Sequence, residues 1–295
     1  MNEKESWAQQ FEENRGHLRA VAYRMLGSMS EADDAVQEAW LRLNRSDATG
    51  IENLTGWLTT VVARVCLDIL RSRASRREET LDAQKFEPPA NRQGASDPEQ
   101  EVLLADSVGL ALLVVLDRLA PAERIAFVLH DMFAVSFDEI ASIIRRSPAA
   151  ARQLASRARR RVQGTDRVPA SDLPEQRKLA DAFLAALRAR DFEGLIAVLD
   201  PDVVVRADSA AAASGAPTEI RGATTWAKGA IAFARLAPSV QTMLVDGAVG
   251  LVLAPHGRLS RVLRFTIAGG KIVQIEVIAD PERLRQLDLA VINEE

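Results

Sequence analysis

The sequence lacks most of the residues that build disulfide, metal and membrane structures. Cys66 is the only cysteine among 295 residues, which excludes an internal disulfide and argues against a cysteine-based zinc site. The histidines His17, His130 and His256 are too far apart along the chain to form a metal-ligand pattern. The N-terminus has no signal-peptide layout, and apolar runs of the roughly 18 residues that span a bilayer are missing. We therefore predict no metal, no cofactor, no membrane partner and a cytoplasmic location.

The chain also has little net charge, but its charges are unevenly distributed. The formal net charge is −4, which is unusual for a nucleic-acid-binding protein. Between Ile140 and Thr165, however, the sequence contains seven arginines and no acid, and four more arginines lie between Arg71 and Arg77. This distribution predicts two local surfaces for a polyanion such as DNA.

Apolar residues at helical spacing predict three consecutive helices in the N-terminal part of the chain. The first ends near Gly27, the second starts after the predicted N-cap Ser30, and the third begins near Leu54 and runs into the arginines from Arg71 onward. Trp40 and Trp57 lie at or beside apolar positions, so core packing is favoured over stacking on bases. The three helices predict one small bundle.

Residues 136–162 carry the capping signals of two short helices joined by a tight turn. Ser136 and Glu139 form a capping-box pattern, and Ser147 followed by Pro148 predicts the start of the next helix. A helix-turn-helix of this kind places its second helix in the major groove of DNA. The alternative is an exposed basic helix in a structural hairpin. The coincidence of both caps with an acid-free arginine run favours DNA binding.

The C-terminal part of the chain changes from helical to strand-like periodicity. Two helical patterns precede apolar runs typical of strands, at residues 203–205, 243–253, 261–267 and 271–278. Gly269 and Gly270 predict a hairpin turn between the last two runs. Helices followed by such strands predict an α+β cone with a curved antiparallel sheet.

The predicted architecture is multidomain, with two all-α domains and the α+β cone. We place the helical bundle at residues 8–78, a linker at 79–105, the helix-turn-helix domain at 106–164, a second linker at 165–177 and the cone at 178–292. The first linker is assigned because helical periodicity is lost there and prolines and a glycine are frequent.

Three stretches of the helical part resemble bacterial sigma factors of the extracytoplasmic-function (ECF) family, the promoter-reading subunits of RNA polymerase. YRMLGSMSEADDAVQEAWLRL, at Tyr23–Leu43, is similar to the helices that bind core polymerase. LTGWLTTVVARVCLDILRSRASRR, at Leu54–Arg77, is similar to the helix that recognises the promoter −10 element. LDRLAPAERIAFVLHDMFAVSFDEIASIIRRSPAAARQLASRARRRV, at Leu116–Val162, resembles region 4, which reads the −35 element. The similarity covers nearly all of residues 10–163.

The resemblance implies which residues bind the polymerase and the promoter. Those that would dock on the polymerase core are Asp33, Asp34, Gln37 and Glu38. Those that would contact the −10 element are Arg64, Asp68, Arg71, Arg73, Arg76 and Arg77. Those that would contact the −35 element are Arg152, Gln153, Ser156, Arg157, Arg159 and Arg160. From spacing alone, the acidic set is slightly more typical of an ordinary solvated helix face.

The C-terminal segment resembles SnoaL-like domains of the nuclear-transport-factor-2 fold, most strongly in FTIAGGKIVQIEVIADPERLRQL at Phe265–Leu287. In sigma factors with this extension, the resemblance implies that the added domain modulates activity, in place of or beside a separate anti-sigma factor. The candidate regulatory-motif residues are Asp246, Gly247, Asp280, Pro281, Glu282 and Leu284. The match to the family's DGGGK-type signature is incomplete, because Ala248 follows Gly247.

Two other functions remain open on the sequence. An ordinary helix-turn-helix regulator would bind duplex DNA without polymerase. An enzyme would use a general base inside the cone, for which Asp202, Asp208 and His256 are the candidates. Fold alone does not decide between these functions. The two resemblances together favour a sigma factor that is not itself an enzyme, with polymerase core and promoter DNA as partners.

Overall fold

The structure is a computed structural model that describes residues 3–46, 51, 53–82, 109–164, 172–212 and 218–292. It divides into unit 1, which comprises Met1–Gly109 and Leu116–Arg159, and unit 2, which comprises Leu110–Val115 and Arg160–Glu295. The two predicted helical domains therefore share unit 1, except for two short pieces of the second domain. Most of the first predicted linker, and residues 165–171 of the second, lie outside the described residues.

Three helices form the N-terminal bundle of unit 1, namely α1 (Glu3–Leu26), α2 (Met29–Arg45) and α3 (Leu54–Asp82). The N-cap of α2 is Ser28 and not the predicted Ser30. Ser28 has the extended backbone that an N-cap requires, and its side chain accepts the N–H of Glu31. Ser30 already lies inside the helix. The third helix continues to Asp82, beyond the predicted boundary at residue 78.

Apolar side chains from these helices fill the core of the bundle. Phe11, Leu18 and Met25 of α1 and Leu58 of α3 are almost completely buried. Cys66 is buried with them, and its burial raises the pKa of the thiol to about 12. Cys66 is therefore an apolar core residue and stays a neutral thiol at physiological pH.

The helix-turn-helix region follows in four helices and one π-helical turn. The helices are α4 (Leu110–Asp117), α5 (Pro121–Phe127), α6 (Phe137–Ile144) and α7 (Pro148–Gln163), and the π-helical turn, Val128–Met132, continues α5. The predicted second helix of the motif is α7.

Both predicted helix starts of the motif are confirmed. The side chain of Ser136 accepts the N–H of Glu139 at 3.3 Å, and the Glu139 carboxylate accepts the N–H of Ser136 at 3.1 Å. The side chain of Ser147 accepts the N–H of Ala150 at 3.2 Å. Arg145 ends α6 with a φ of 57°, the left-handed conformation that turns the chain towards α7.

Unit 2 combines helices with one seven-stranded sheet. Its described α-helices beyond α7 are α8 (Leu173–Ala189), α9 (Phe192–Val198), α10 (Ala223–Ala232) and α11 (Pro281–Gln286). The strands are β1 (Leu199–Ala207), β2 (Glu219–Arg221), β3 (Val240–Val245), β4 (Ala248–Leu253), β5 (Arg261–Ala268), β6 (Lys271–Ile278) and β7 (Leu289–Ala290). Their order in the sheet is β2-β1-β6-β5-β4-β3-β7.

The sheet differs from the prediction in two respects. The strand β1 pairs in parallel with β6, so the sheet is mixed and not wholly antiparallel. The apolar run at residues 243–253 is two strands, β3 and β4, joined by a turn at Asp246 and Gly247. The alternation of polar and apolar residues did not reveal this turn, because β4 is buried at five of its six positions. The predicted hairpin at Gly269 and Gly270 is confirmed between β5 and β6.

Aromatic side chains pack between the sheet and the helices of unit 2. Phe183 of α8 is fully buried, and its ring centre lies 5.5 Å from that of Trp226 and 5.4 Å from that of Phe265. Such tilted pairs stabilise a core beyond the area that they bury. This part of unit 2 is therefore a packed apolar interior.

Candidate nucleic-acid interface

The outward face of α7 carries the predicted −35 contacts. All six side chains are exposed: Arg152, Gln153, Ser156, Arg157, Arg159 and Arg160. The buried positions of the same part of the helix are Ala151, Leu154, Ala155 and Ala158. This alternation is that of an amphipathic helix with one apolar stripe towards the core. The polar face of α7 is therefore accessible to a ligand.

Two of these arginines form ion pairs with acids that precede the motif. The Nε atom of Arg157 lies 3.3 Å from Oε1 of Glu123 in α5. The Nε atom of Arg159 donates to Oδ1 of Asp131 at 2.8 Å. About half of each arginine side chain stays exposed, 50% for Arg157 and 44% for Arg159. The pairing therefore fixes one edge of each guanidinium and leaves the side chain at the surface.

Aromatic packing holds a third arginine of the same face. The guanidinium of Arg152 lies 5.2 Å from the centre of the Phe137 ring, within the range of a cation–π interaction. The Phe137 ring in turn lies 3.9 Å from the ring of His130. The Nδ1 atom of His130 is 3.1 Å from the carbonyl oxygen of Val135. His130 is therefore a structural residue.

A second face with exposed basic residues runs along α3. Arg64, Asp68, Arg71 and Arg76 are exposed, and the first three lie close to multiples of one helical turn apart. The side chain of Arg77 lies outside the described part of the chain. Four of the six predicted −10 residues are thus exposed, and three of them share one side of the helix.

Arg73 is oriented differently from its neighbours. Its side chain is only 17% exposed and forms an ion pair with Glu31 of α2. It also donates to the carbonyl oxygen of Leu26, the last residue of α1, at 3.0 Å. A cation at a helix C-terminus stabilises the unpaired carbonyls there. Arg73 therefore joins the three helices of the bundle and is turned away from the exposed face of α3.

A groove of about 300 Å³ lies beside the first half of α3. Trp57 and Arg64 line it from α3, and Glu139 lines it from α6. Trp57 is half-buried, so the prediction of core packing holds only in part for this ring. Trp40 fits that prediction better, because its ring centre lies 4.9 Å from that of the buried Phe11.

Two family models match the helical parts of the chain. The sigma-70 region 2 model matches residues 10–76, and the sigma-70 region 4 model matches residues 109–162. The ECF RNA polymerase sigma factor SigJ of Mycobacterium tuberculosis is 38% identical over 287 residues, which cover 93% of this chain and 92% of that protein. The chain belongs to the ECF sigma-factor family.

One further protein and one solved structure are similar to this sigma factor over most of its length. The probable ECF RNA polymerase sigma factor SigI of Mycobacterium tuberculosis is 34% identical over 275 residues, 93% of each chain. The crystal structure of Mycobacterium tuberculosis SigJ is 34% identical and covers 94% of this chain and 98% of that one, with a TM-score of 0.45. The sequence alignments with SigJ and SigI extend beyond regions 2 and 4 and include most of unit 2.

The predicted polymerase-contacting residues of the sigma factor lie on α2. Asp34 and Gln37 are exposed. Their neighbour Asp33 forms an ion pair with Arg19 at 2.7 Å, and Glu38 forms one with Arg42 at 2.8 Å. One turn further, Leu41 is 39% exposed on the same face, although its apolar side chain was not predicted to belong there. The face therefore combines acids, an amide and one apolar side chain.

Of the two predicted regulatory motifs, one is a β-turn of unit 2 and the other is the start of a helix. Asp246 and Gly247 form the β3–β4 turn, and Oδ1 of Asp246 accepts the N–H of Asp288 at 2.9 Å. Asp280 caps α11 by accepting the N–H groups of Glu282 and Arg283. Pro281 occupies the first turn of this helix, Glu282 is exposed and Leu284 is buried.

Ion pairs connect these two motifs across the sheet. Arg264 lies 3.5 Å from Asp246 and 3.6 Å from Glu276. Arg283 pairs with Glu276 at 2.5 Å and with Asp208 at 3.6 Å. The two motifs, which are far apart in the sequence, thus belong to one network of alternating charges.

The residues considered for catalysis are not assembled into an active site by the described structure. Asp202 is exposed, and the side chain of His256 lies outside the described part. The described residues also contain no cluster of His, Cys, Asp or Glu that could hold a metal. None of the described helices is long and apolar enough to cross a membrane.

Asp208 is an anion held by backbone hydrogen bonds. Its carboxylate accepts the N–H groups of Ala211 at 2.8 Å and of Ala279 and Asp280 at 3.0 Å. Burial, the largest single influence, raises the pKa of Asp208, but these hydrogen bonds and the charge of Arg283 together lower it below the usual value. Asp208 therefore stabilises unit 2 and is a poor general base.

Replacing Asp208 with asparagine is expected to destabilise unit 2 by about 1.5–3 kcal/mol near neutral pH, the range for a hydrogen bond to a charged group. Because the pKa of Asp208 is lowered in the folded state, this stabilisation is complete above the unfolded pKa of about 3.9 and is lost as the pH falls through the folded value. Thermal unfolding from neutral to acidic pH tests this. As the pH falls, the wild type should lose more stability than Asp208→Asn. The control Asp202→Asn, which changes an exposed aspartate, should lose as much stability as the wild type. Equal losses in all three proteins would contradict the role of Asp208.

Several residues of these sites were missed by sequence reasoning. Glu123 and Asp131 contact the α7 arginines, as described above. Arg124 is only 2% exposed, donates to the carbonyl oxygen of Arg24 at 3.3 Å and lies 3.6 Å from Asp117. Charged residues are almost never fully buried unless they are paired, and the sequence does not show the partner. For Glu123, Arg124 and Asp131, the only signal in the sequence is a charged residue inside an otherwise apolar helical pattern.

Proposed function

We propose that this sigma factor directs core RNA polymerase to promoters by reading two DNA elements with two helices. In this proposal α7 reads the −35 element as duplex, α3 reads the −10 element, and α2 docks on the polymerase in the cytoplasm. The sigma factor supplies specificity, and the polymerase supplies the chemistry of RNA synthesis. The observation that carries the proposal is the exposed, acid-free face of α7 on the second helix of a doubly capped helix-turn-helix.

The arrangement of side chains along α7 supports a division of labour at the −35 element. Arg152 and Gln153 lie in its first half, the part of a recognition helix that meets base edges. Arginine pairs bidentately with guanine and glutamine with adenine. Ser156 and Arg157 follow on the same face and complete the base-reading group. Arg159 and Arg160 lie further along the helix, where they contact phosphates and contribute affinity without sequence preference.

The exposed face of α3 supports binding of a melted −10 element. Arg64 and Arg71 offer positive charge on one side of the helix, and Asp68 lies between them as an acceptor for base amino groups. Arg76 adds an exposed positive charge further along the helix. The half-buried ring of Trp57 lies beside this face, in the groove of unit 1. Base–aromatic stacking contributes about 1–3 kcal/mol per base in other single-strand binders. We exclude Arg73 from the DNA contacts, because it binds the C-terminus of α1.

The polymerase-binding surface in this proposal is the exposed face of α2. It is formed by Asp33, Asp34, Gln37 and Glu38, with Leu41 at its end. Apolar side chains surrounded by charged groups are frequent at the centres of protein interfaces.

We further propose that unit 2 modulates the −35 reader. Support comes from contacts within unit 2, to which Leu110–Val115 of α4 and the last residues of α7 belong. The N–H of Val291, after β7, donates to the carbonyl oxygen of Val162 in α7 at 2.9 Å. A side chain on Gly257 would meet Leu113 at 3.3 Å.

Deleting the chain after Val168 is expected to change promoter-dependent transcription while binding to core polymerase is retained. The deletion removes the residues that pack on Leu113 and Val162, whereas α2 stays intact. Transcription by reconstituted polymerase and co-purification with core measure the two effects separately. Unchanged transcription would remove the regulatory role, and loss of core binding would show that unit 2 is needed for the fold of unit 1.

The proposal is tested by adding the purified chain to core polymerase on a pool of genomic DNA fragments. We expect transcripts that core alone does not make, each starting at a defined position. The rival function, a regulator that binds duplex DNA without polymerase, predicts binding to some fragments but no transcript that depends on the chain.

A further inference from the structure

We infer that Glu123 orients Arg157 for base reading and thereby sets sequence discrimination at the −35 element without touching DNA. Asp131 has the same relation to Arg159 at the phosphate-binding end of α7. This inference rests on the proposed function of α7 and adds a positioning residue to it. Neither acid lies on α7 itself.

The burial of Glu123 separates its role from that of a DNA contact. Its side chain is 8% exposed, although it belongs to a charged residue type that is rarely buried without a partner. Glu123 lies in the first turn of α5, after Pro121, where the helix dipole stabilises a carboxylate. A negative charge is therefore held in a defined place behind the exposed arginine.

The geometry of the pair determines what remains available on Arg157. Its Nε atom lies 3.3 Å from Glu123, so this edge of the planar guanidinium faces the protein. The Nη groups are the other edge of the same plane, and the side chain is 50% exposed. A free arginine side chain has about 2 kcal/mol of rotamer entropy, much of which is lost when it binds a base. Because Glu123 already holds the Nε edge before DNA binds, less of this entropy is lost on binding. The two Nη groups can also point in fewer directions.

A second pair on the same helix repeats this arrangement. Both Nε and one Nη group of Arg159 face Oδ1 of Asp131 in the π-helical turn after α5. Asp131 follows Glu123 by eight residues, roughly two turns further along this continuous helical segment. The segment before the helix-turn-helix therefore presents two carboxylates to two arginines of α7.

The contrasting interpretation is that these acids only reduce the positive charge of α7. Charge reduction lowers affinity for every duplex equally, because phosphate attraction does not depend on sequence. Orientation instead changes the preference for one base pair over the others. The two interpretations therefore predict different results for the same substitution.

The test uses the full chain reconstituted with core polymerase and a promoter library in which only the upstream element is randomised. The variants are Glu123→Gln, Arg157→Ala and the double variant, with Asp138→Asn as control because it removes an exposed acid from the neighbouring helix α6. We expect Glu123→Gln to reduce discrimination at one base pair about fivefold or more. We expect Arg157→Ala to reduce it at the same base pair and the double variant to show no further loss. Asp138→Asn should retain the wild-type preference.

Three outcomes overturn the inference in distinguishable ways. Higher transcription from all library members with unchanged preference would mean that Glu123 only neutralises charge. A change of preference in Arg157→Ala but not in Glu123→Gln would leave the proposed function intact and remove the positioning role. Absence of any upstream preference in the wild type would reject the proposed function itself.

Thermal unfolding of each variant shows whether the substitution has caused a general loss of structure. If Glu123→Gln unfolds, Arg157→Lys provides the second test, because lysine keeps the charge but lacks the planar fork. The inference then requires the preference at the same base pair to fall about fivefold or more. An unchanged preference in Arg157→Lys would contradict it.

Discussion

Replacing Arg152 and Arg157 together with alanine is expected to lower transcription from a cognate promoter about 100-fold, because each bidentate arginine–guanine contact contributes about 1–3 kcal/mol. Both side chains are exposed on the outward face of α7, and the buried positions of the helix stay unchanged. The measurement is run-off transcription by the reconstituted polymerase, on the intact promoter and on one with a scrambled upstream element.

The scrambled promoter and a control variant make this result specific. On the scrambled promoter, the double variant and the wild type should transcribe equally weakly, because the contacts that differ between them no longer exist. Arg235→Ala, which removes an exposed arginine of unit 2, should transcribe the intact promoter like the wild type. A decrease of the same size on both promoters would instead indicate a defect unrelated to base reading.

Replacing Asp34 with arginine is expected to weaken binding to core polymerase about 30-fold, which corresponds to about 2 kcal/mol, the threshold for an interface hot spot. Asp34 is exposed between the ion-paired Asp33 and Glu38. Reversing its charge therefore places repulsion at the centre of a surface that we propose to be complementary to the polymerase. Titration of labelled sigma factor with core measures the effect.

A matched variant on α1 separates this effect from the change in net charge. Glu13→Arg also reverses an exposed acid of the bundle, but it lies outside the α2 face. It should bind core with nearly wild-type affinity. Equal weakening by both variants would mean that long-range charge, and not the α2 face, controls the association.

Local signals are sufficient to predict the helix-turn-helix. The capping box at Ser136 and Glu139 and the cap at Ser147 involve residues three positions apart, so the pattern contains both partners of each hydrogen bond. The amphipathic period of α7 likewise separates its exposed from its buried residues. The amino-acid pattern by itself therefore assigns the six candidate −35 residues to the surface, where they lie.

Contacts between distant segments were not predictable in this way. Arg73 looks like its neighbours in the sequence, but its acceptor, the carbonyl oxygen of Leu26, is 47 residues away. Glu123 and Arg157 are likewise brought together only by the packing of α5 and α7. The spacing of polar and apolar residues assigns such charged residues to the surface, because it contains no information on a hydrogen-bond or ion-pair partner that is distant in the sequence.

The sheet of unit 2 shows the same limit for strands. The turn at Asp246 and Gly247 joins two strands whose residues are largely apolar, because β4 is buried on both faces. Alternation of polar and apolar residues, the usual strand signal, is therefore lost. The parallel pairing of β1 with β6 depends on a connection of more than 60 residues, which no local pattern specifies.

The most direct test of the two-element account is to map the transcript starts that the reconstituted polymerase produces with wild-type sigma factor and with Arg152→Ala. We predict that wild-type starts share two short sequence elements at a constant separation, and that Arg152→Ala relaxes only the upstream one. Starts without a shared upstream element, or a variant that alters both elements equally, would contradict the proposal that α7 and α3 read separate promoter sites.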